Sequence, residues 1–271
     1  MNNPLQKYFR QPKLFIPLPS KGLFYEDGVL SGDTSNVPIF GMTGMDEIIM
    51  KTPDALFSGE ATVKLIQSCC PYILDAHKIS SLDVDALLIA IRIATFGELM
   101  PVSTKCRNCG EENEFDIDLS NALSHYADLK FNNVIHLDDL TITLKPLTYQ
   151  DMSIFNIENF KLQKMLSQLD NVSVEDRQQH FDAIYEKLAD IQAQVFLTSI
   201  ESITTPNEVV TDRIHITEWL ANTVKSNYKI IKDRLEENKE TWAMPKNKIK
   251  CADCGHEDSI EVSLDQSSFF D

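Results

Sequence analysis

Four cysteines occur in two copies of one short pattern, and the two copies lie far apart in the 271-residue chain. Each copy reads Cys-x-x-Cys-Gly, followed by a polar stretch and an alternating apolar/polar segment that ends in Leu; the copies span residues 106–119 and 251–264. A thiolate pair with this spacing can bind one metal ion from a tight turn, which the Gly closes by adopting a positive φ. Two such turns that face each other provide the tetrahedral Cys₄ ligand set of structural zinc. The repeat therefore predicts one structural Zn²⁺ site with the ligands Cys106, Cys109, Cys251 and Cys254.

Other chemistries of paired cysteines remain open at this point. A thioredoxin-like dithiol requires its Cys-x-x-Cys at a strand-to-helix junction, whereas here a strand pattern follows each copy. A catalytic zinc site keeps one coordination position open, which four cysteines would close. His256 follows the second copy and could replace one ligand, although a solvated turn residue is the simpler interpretation. The other histidines share no metal-ligand spacing: His77, His125, His136, His180 and His215.

Sequence signatures of catalysis are lacking. The chain has no Walker loop, no Gly-x-Gly-x-x-Gly after a strand, no Gly-x-Ser-x-Gly and no His-Glu-x-x-His. The acidic pairs Asp83/Asp85 and Asp116/Asp118 are explained by a helix start and by a solvated strand face. We therefore expect no enzymatic activity.

Charge and cysteine usage restrict the class of protein. The net charge is −16, whereas residues 1–22 contain four basic residues and no acidic ones, so the rest of the chain has a charge of −20. An acidic body disfavours nucleic acid, which requires a basic surface. No apolar run has the length of a membrane span, and the first residues lack the apolar core of a secretion signal. Metal-like cysteine spacing indicates a reducing compartment, and Cys69 and Cys70 are interpreted as buried thiols.

The periodicity predicts an α+β fold: a mainly helical body with a split zinc ribbon and a large helical insertion between its halves. The predicted parts are an extended basic arm at 1–22, an N-terminal helical part at 23–100, a zinc-ribbon and β part at 101–147 and 244–266, and a helical insertion at 148–243. The arm is expected to lie on its own body or to reach an acidic neighbour, with Phe9 and Phe15 as apolar anchors.

Individual elements follow from capping patterns and alternation. Capping boxes at 43–46, 80–83 and 148–151 predict helix starts, and the apolar segment after the second box predicts a core helix. Arg92 within that segment is interpreted as a snorkelling or paired surface charge. Residues 134–137 and 140–147 predict a β-hairpin. A helical region that is broken near Asn171 is expected from there to about Thr204, and a last helix over 217–238.

Five short segments occur in an order that resembles a known family: 18–25 (LPSKGLFY), 42–47 (MTGMDE), 91–94 (IRIA), 106–110 (CRNCG) and 146–152 (PLTYQDM). In this respect the chain resembles the baseplate hub subunits and baseplate hub assembly proteins of T-even-type bacteriophages. The similarity is closest over residues 15–152.

The resemblance implies a structural or assembly protein of the phage tail baseplate hub, without catalysis. Such a protein is made in the host cytoplasm, and either stays in the virion or leaves after assembly. Its implied partners are other baseplate hub and tail proteins. An alternative is a zinc-ribbon module that acts on nucleic acid, for instance in transcription, but Asp116, Asp118 and Glu261 on the ribbon strands count against it. Self-association is left open by the sequence.

Overall fold

Ten β-strands and eight α-helices are described in the computed structural model, which covers residues 3–52, 58–168, 174–264 and 269–270. The strands are β1 Leu14–Ile16, β2 Val37–Ile39, β3 Leu99–Lys105, β4 Glu112–Asp118, β5 Val134–Leu137, β6 Leu140–Leu144, β7 Ile200–Thr204, β8 Val209–Val210, β9 Asn247–Lys250 and β10 Glu257–Ile260. The helices are α1 Gly44–Met50, α2 Glu60–Cys69, α3 Ser81–Phe96, α4 Ser120–Ala127, α5 Tyr149–Gln168, α6 Val174–Ser199, α7 Arg213–Asn222 and α8 Lys225–Thr241. None of the described helices is both long enough and apolar enough to cross a membrane.

The chain forms two units. The first contains residues 1–130 and 242–271, and the second contains residues 131–241. In the first unit, three antiparallel pairs form between β1 and β2, between β3 and β4, and between β9 and β10. The second unit has a four-stranded antiparallel sheet in the order β5-β6-β7-β8. A mixed fold of helices and small sheets was predicted and is observed.

Helix α3 is the core helix of the first unit. Eleven of its sixteen residues are buried, and nine of these eleven are apolar, as expected for a helix inside a core. Arg92 is only 4% exposed, so its interpretation as a surface charge is wrong. The guanidinium lies over the rings of Phe96 and Phe269, at 4.8 and 5.8 Å from their centroids, where the ring faces attract a cation. Burial lowers the pKa of Arg92.

Two of the three predicted capping boxes form. The hydroxyl oxygens of Thr43 and Thr148 each accept a hydrogen bond from the backbone N–H of the Asp three residues later, Asp46 or Asp151. The carboxylate of that Asp accepts a hydrogen bond from the backbone N–H of the Thr. Ser80 caps the N–H of Leu82, but Asp83 does not complete the third box. Its buried carboxylate accepts bonds from the N–H of Ser20 (2.7 Å) and from the hydroxyl of Tyr25 (2.6 Å) instead.

The N-terminal segment is fixed to its own unit. Strand β1 pairs with β2, and the Arg10 guanidinium donates to the carbonyls of Gly41 and Ser68 and faces the Asp46 carboxylate at 3.4 Å. Phe9 and Phe15 are 55% and 53% exposed. On its own unit the segment is therefore held by β1 and Arg10, whereas Phe9 and Phe15 are not buried there. A contact of these two side chains with an acidic neighbour stays a prediction.

The second unit confirms one predicted element and corrects two. The predicted hairpin forms over 134–137 and 140–144, so its second strand is three residues shorter than the predicted 140–147. Asp138 in its turn has a positive φ. The expected helix to about Thr204 is wrong at its end: α6 stops at Ser199, and β7 pairs with β6. The expected helix over 217–238 is two helices, because the chain is extended at Thr223 (φ −71°, ψ 149°).

Candidate metal centre

The two Cys-x-x-Cys-Gly segments fold into the same turn, called here the first knuckle (106–110) and the second knuckle (251–255). In the first knuckle, the N–H of Cys106 donates to the carbonyl of Glu111 (2.9 Å), and the N–H of Gly110 donates to the carbonyl of Cys106 (2.9 Å). The second knuckle has the equivalent bonds, from Cys251 to His256 (2.9 Å) and from Gly255 to Cys251 (3.0 Å). Both glycines have a positive φ, as predicted: 80° for Gly110 and 71° for Gly255.

Each knuckle closes the end of a β-hairpin. The first lies between β3 and β4 and follows the Lys105/Glu112 pair; the second lies between β9 and β10 and follows the Lys250/Glu257 pair. An ion pair between Arg107 and Asp258 (3.2 Å) joins the first knuckle to the second hairpin. The hairpins therefore position both thiol pairs within one unit, although unit two lies between them in the chain.

The four thiols form one cluster. All four Sγ atoms lie within 4.8 Å of one another, with 3.6 Å between Cys106 and Cys254 and 3.7 Å between Cys109 and Cys251. A tetrahedral site with Zn–S bonds of ~2.3 Å requires S···S separations of ~3.8 Å. Within the described residues, these four cysteines form the group that could hold a metal ion, and the ring of His256 is not part of it.

Two asparagines donate hydrogen bonds to the sulfurs. The side-chain amide of Asn108 lies 3.6 Å from Cys254 Sγ, and that of Asn113 lies 3.5 Å from Cys251 Sγ. Asn113 is buried and also accepts a bond from the N–H of Ala252 (2.9 Å) through its Oδ1. Because donors to sulfur stabilise the thiolate, both residues favour metal binding.

Sequence reasoning missed these asparagines. The available signal was the alternation of β4, in which Asn113 occupies the face of Phe115 and Ile117. A polar residue at an apolar-face position requires a partner, and here the partner is the second knuckle.

Hydrogen bonds to the sulfurs also change the pKa values of two thiols. The pKa of Cys254 is lowered to about 6, first by the Asn108 amide and then by the backbone N–H of His256. The pKa of Cys251 is also lowered, first by the backbone N–H of Cys254. Cys69 and Cys70 behave oppositely: both are buried, as predicted, and burial raises the pKa of Cys69 to about 11. Hydrogen bonds to Cys251 and Cys254 thus favour the thiolates that a metal ion requires. The pKa of Cys109 is raised, although the backbone N–H of Glu111 lowers it. The vicinal pair stays protonated.

Comparison with known proteins identifies the class. A family model described as the T4 bacteriophage base plate protein matches residues 43–271, which include all four knuckle cysteines. The chain belongs to this family. The predicted resemblance to T-even-type baseplate proteins is thereby confirmed, and the match extends well beyond residue 152. Searches of curated proteins and of solved structures give no significant match.

Proposed function

We propose that the protein is a structural or assembly component of the tail baseplate hub, and that it acts through contacts with other hub and tail proteins. Its membership of the T4 base plate family carries this proposal. The restriction to the hub is supported by the order of the five segments that resemble hub proteins, from 18–25 to 146–152. The first of these segments supplies the Ser20 and Tyr25 bonds to Asp83, so it stabilises the core of the first unit.

The proposed cofactor is one structural Zn²⁺ bound by Cys106, Cys109, Cys251 and Cys254. Sulfur separations of 3.6 and 3.7 Å and the asparagine donors support it. Four thiolates leave no coordination position for a substrate, so the ion would stabilise the fold and would not catalyse a reaction. It would join the β3–β4 hairpin to the β9–β10 hairpin as the two halves of a split zinc ribbon.

The domain organisation proposed with this site is an insertion into a ribbon, and its proposed bounds are those of the second unit, 131–241, in place of the 148–243 predicted from the sequence. The chain leaves the first unit after Lys130 and returns to it at Trp242. In the described part of the segment between them, residues 131–168 and 174–241, the chain forms four helices and the β5-β6-β7-β8 sheet. That division supports an insertion held at both ends by the unit that contains the thiols.

Elemental analysis tests the cofactor. Protein purified without added metal should contain about one zinc per chain, since closed structural sites are four-coordinate. Purified protein with near-zero metal and four reactive thiols would contradict the site.

Mass spectrometry of purified phage particles tests the hub role. Peptides of this chain should occur in particles or in isolated hub intermediates together with other base plate proteins.

Gel-shift titration tests the nucleic-acid alternative. We expect no binding to duplex or single strands at physiological salt, because the charge outside residues 1–22 is −20. Salt-sensitive binding at micromolar protein would favour the alternative.

A further inference from the structure

Helix α5 leaves much of its apolar surface uncovered. It packs along α6, and within residues 149–167 only Tyr149 and Leu162 are buried. Ile154 and Met165 are 49% and 45% exposed. An amphipathic helix normally buries its apolar stripe, so this part of the second unit is suited to a partner.

A groove of about 580 Å³ lies between α5 and α6. Its α5 wall presents Ile154, Glu158, Lys161 and Met165, which are spaced by four, three and four residues and share one helical face. Its α6 wall includes Lys187 and Asp190. The groove thus combines exposed apolar ends with two charges of each sign, and all of these residues belong to the second unit.

None of the salt bridges among the described residues involves the four charged side chains of the groove, which are Glu158, Lys161, Lys187 and Asp190. Equal numbers of both signs disfavour a strongly acidic or strongly basic partner. A surface that carries both signs can instead be complementary to itself.

The four residues of α5 that line the groove are called here the α5 stripe: Ile154, Glu158, Lys161 and Met165. In chain order they are apolar, acidic, basic and apolar, so the stripe is complementary to the same stripe of an antiparallel copy. When two copies of α5 lie antiparallel about a two-fold axis centred between Asn159 and Phe160, Ile154 of one copy faces Met165 of the other. The same register places Glu158 against Lys161 in both directions. A parallel arrangement would set Glu158 against Glu158 and Lys161 against Lys161. The pattern therefore selects the antiparallel pairing.

We propose that this groove is the interface with a second copy of the chain, formed by antiparallel pairing of the α5 stripes. The two α5–α6 hairpins then form a four-helix arrangement whose contacts are the same in both copies. This inference depends on the second unit alone and is independent of the metal site and of the hub role.

Sedimentation equilibrium of the full chain, from about 1 to about 100 µM, tests the proposal. The wild-type protein should show a reversible dimer of twice the 30.8 kDa chain mass. Glu158→Lys and Lys161→Glu should each raise the dimer Kd about tenfold, because each variant sets like charges against each other at two symmetric positions. The double variant Glu158→Lys/Lys161→Glu should restore wild-type affinity, and an equimolar mixture of the two single variants should form the heterodimer.

Circular dichroism and the midpoint of thermal unfolding should be unchanged in all three variants, which would show that they are folded. Ile154→Asp is a second probe: the side chain is half exposed in one chain, so folding should persist while the dimer is lost. A wild-type chain that stays monomeric throughout the range would overturn the proposal. A dimer that the single charge reversals do not weaken would also overturn it, as would a double variant that fails to recover.

Discussion

At the scale of the residue, Asn113 connects β4 to the second knuckle through two hydrogen bonds. Its amide contacts Cys251 Sγ, its Oδ1 accepts the N–H of Ala252, and its amide also donates to the carbonyl of Glu111 (3.2 Å). One side chain of β4 thus orients a thiol of the second knuckle. Groups that orient metal ligands in this way typically change metal affinity when they are removed.

Asn113→Ala should therefore weaken zinc binding by about tenfold. The variant loses the donor to Cys251 and frees the turn at Ala252, while all four thiols remain. Competition with a chromophoric chelator measures the change. Asn207→Ala in the exposed turn between β7 and β8 is the matched control and should keep wild-type affinity. Equal affinities for Asn113→Ala and wild type would show that Asn113 only fills space.

Asp83 is a buried carboxylate whose pKa is raised, chiefly by burial, despite the bonds from Ser20 and Tyr25 that lower it. A raised folded-state pKa means that the folded chain binds more protons than the unfolded chain between the two values. The contribution of Asp83 to stability is therefore present at low pH and is lost as the pH rises through that window.

Asp83→Asn should remove this contribution. Urea unfolding at about pH 4.5 and about pH 7 should show that the wild type loses more stability on going to the higher pH than the variant does. Asp139→Asn, in the exposed turn between β5 and β6, is the control and should leave the pH dependence unchanged. A variant that loses as much stability as the wild type would show that Asp83 has no raised pKa.

The sequence predicted that the four knuckle thiols would lie together, but it did not predict the contacts of Asn113, Asp83 and Arg92. The four cysteines could be predicted to cluster because each pair is fixed by a local turn and the two turns repeat one pattern. The positions of Asn113, Asp83 and Arg92 depend on chain segments far away in sequence. A capping box was the obvious local use of Asp83, but Ser20 and Tyr25 offered buried donors, and tertiary contacts prevailed.

At the scale of the element, the N-terminal segment depends on Arg10. Its guanidinium ties the chain before β1 to the carbonyls of Gly41 and Ser68, which lie before α1 and near the end of α2. Removal of residues 1–13 would expose these carbonyls and leave Asp46 without its cation. The segment therefore contributes to the stability of its own unit.

Arg10→Ala should lower the free energy of unfolding by about 1 to 2 kcal/mol, a value reduced for the partial exposure of the side chain. Proteolysis before β1 should become faster in the variant. Lys13→Ala is the matched control: its side chain is exposed, whereas its backbone N–H bond to Ile39 is retained. Similar stability of both variants would show that Arg10 does not anchor the segment.

Element boundaries were predictable where local chemistry sets them. The Asp138-Asp139 turn and the threonine caps of α1 and α5 are short-range features, and the structure confirms them. The end of α6 could not be predicted in this way, because Ile200 and Ile203 suit a helix as well as a strand. Only the pairing of β7 with β6 decides between the two structures. The break before α8 was equally hidden, because Val224 continues the apolar pattern.

At the scale of the whole molecule, the β3–β4 and β9–β10 hairpins that carry the two knuckles are separated in the sequence by the second unit, residues 131–241. Residues 131–241 form their own unit with a separate core around Ile142, Ile203 and Ile216. A zinc ion would cross-link two hairpins that are far apart in sequence. Structural zinc in small domains contributes on the order of 10 kcal/mol, so the first unit should depend on the ion more than the second.

Loss of the ion should therefore prevent base plate assembly without unfolding the whole chain. In a phage that lacks this gene, the wild-type chain should restore infectious particles, whereas Cys251→Ser should not, because three thiolates leave the ribbon open. Hydrogen exchange on the purified variant should show lost protection in β3, β4, β9 and β10 and retained protection in the β5-β6-β7-β8 sheet. Cys69→Ala is the control: it removes a buried thiol of the same unit outside the cluster, and it should retain zinc and complement the phage. Normal complementation by a zinc-free Cys251→Ser chain would separate the metal site from base plate assembly.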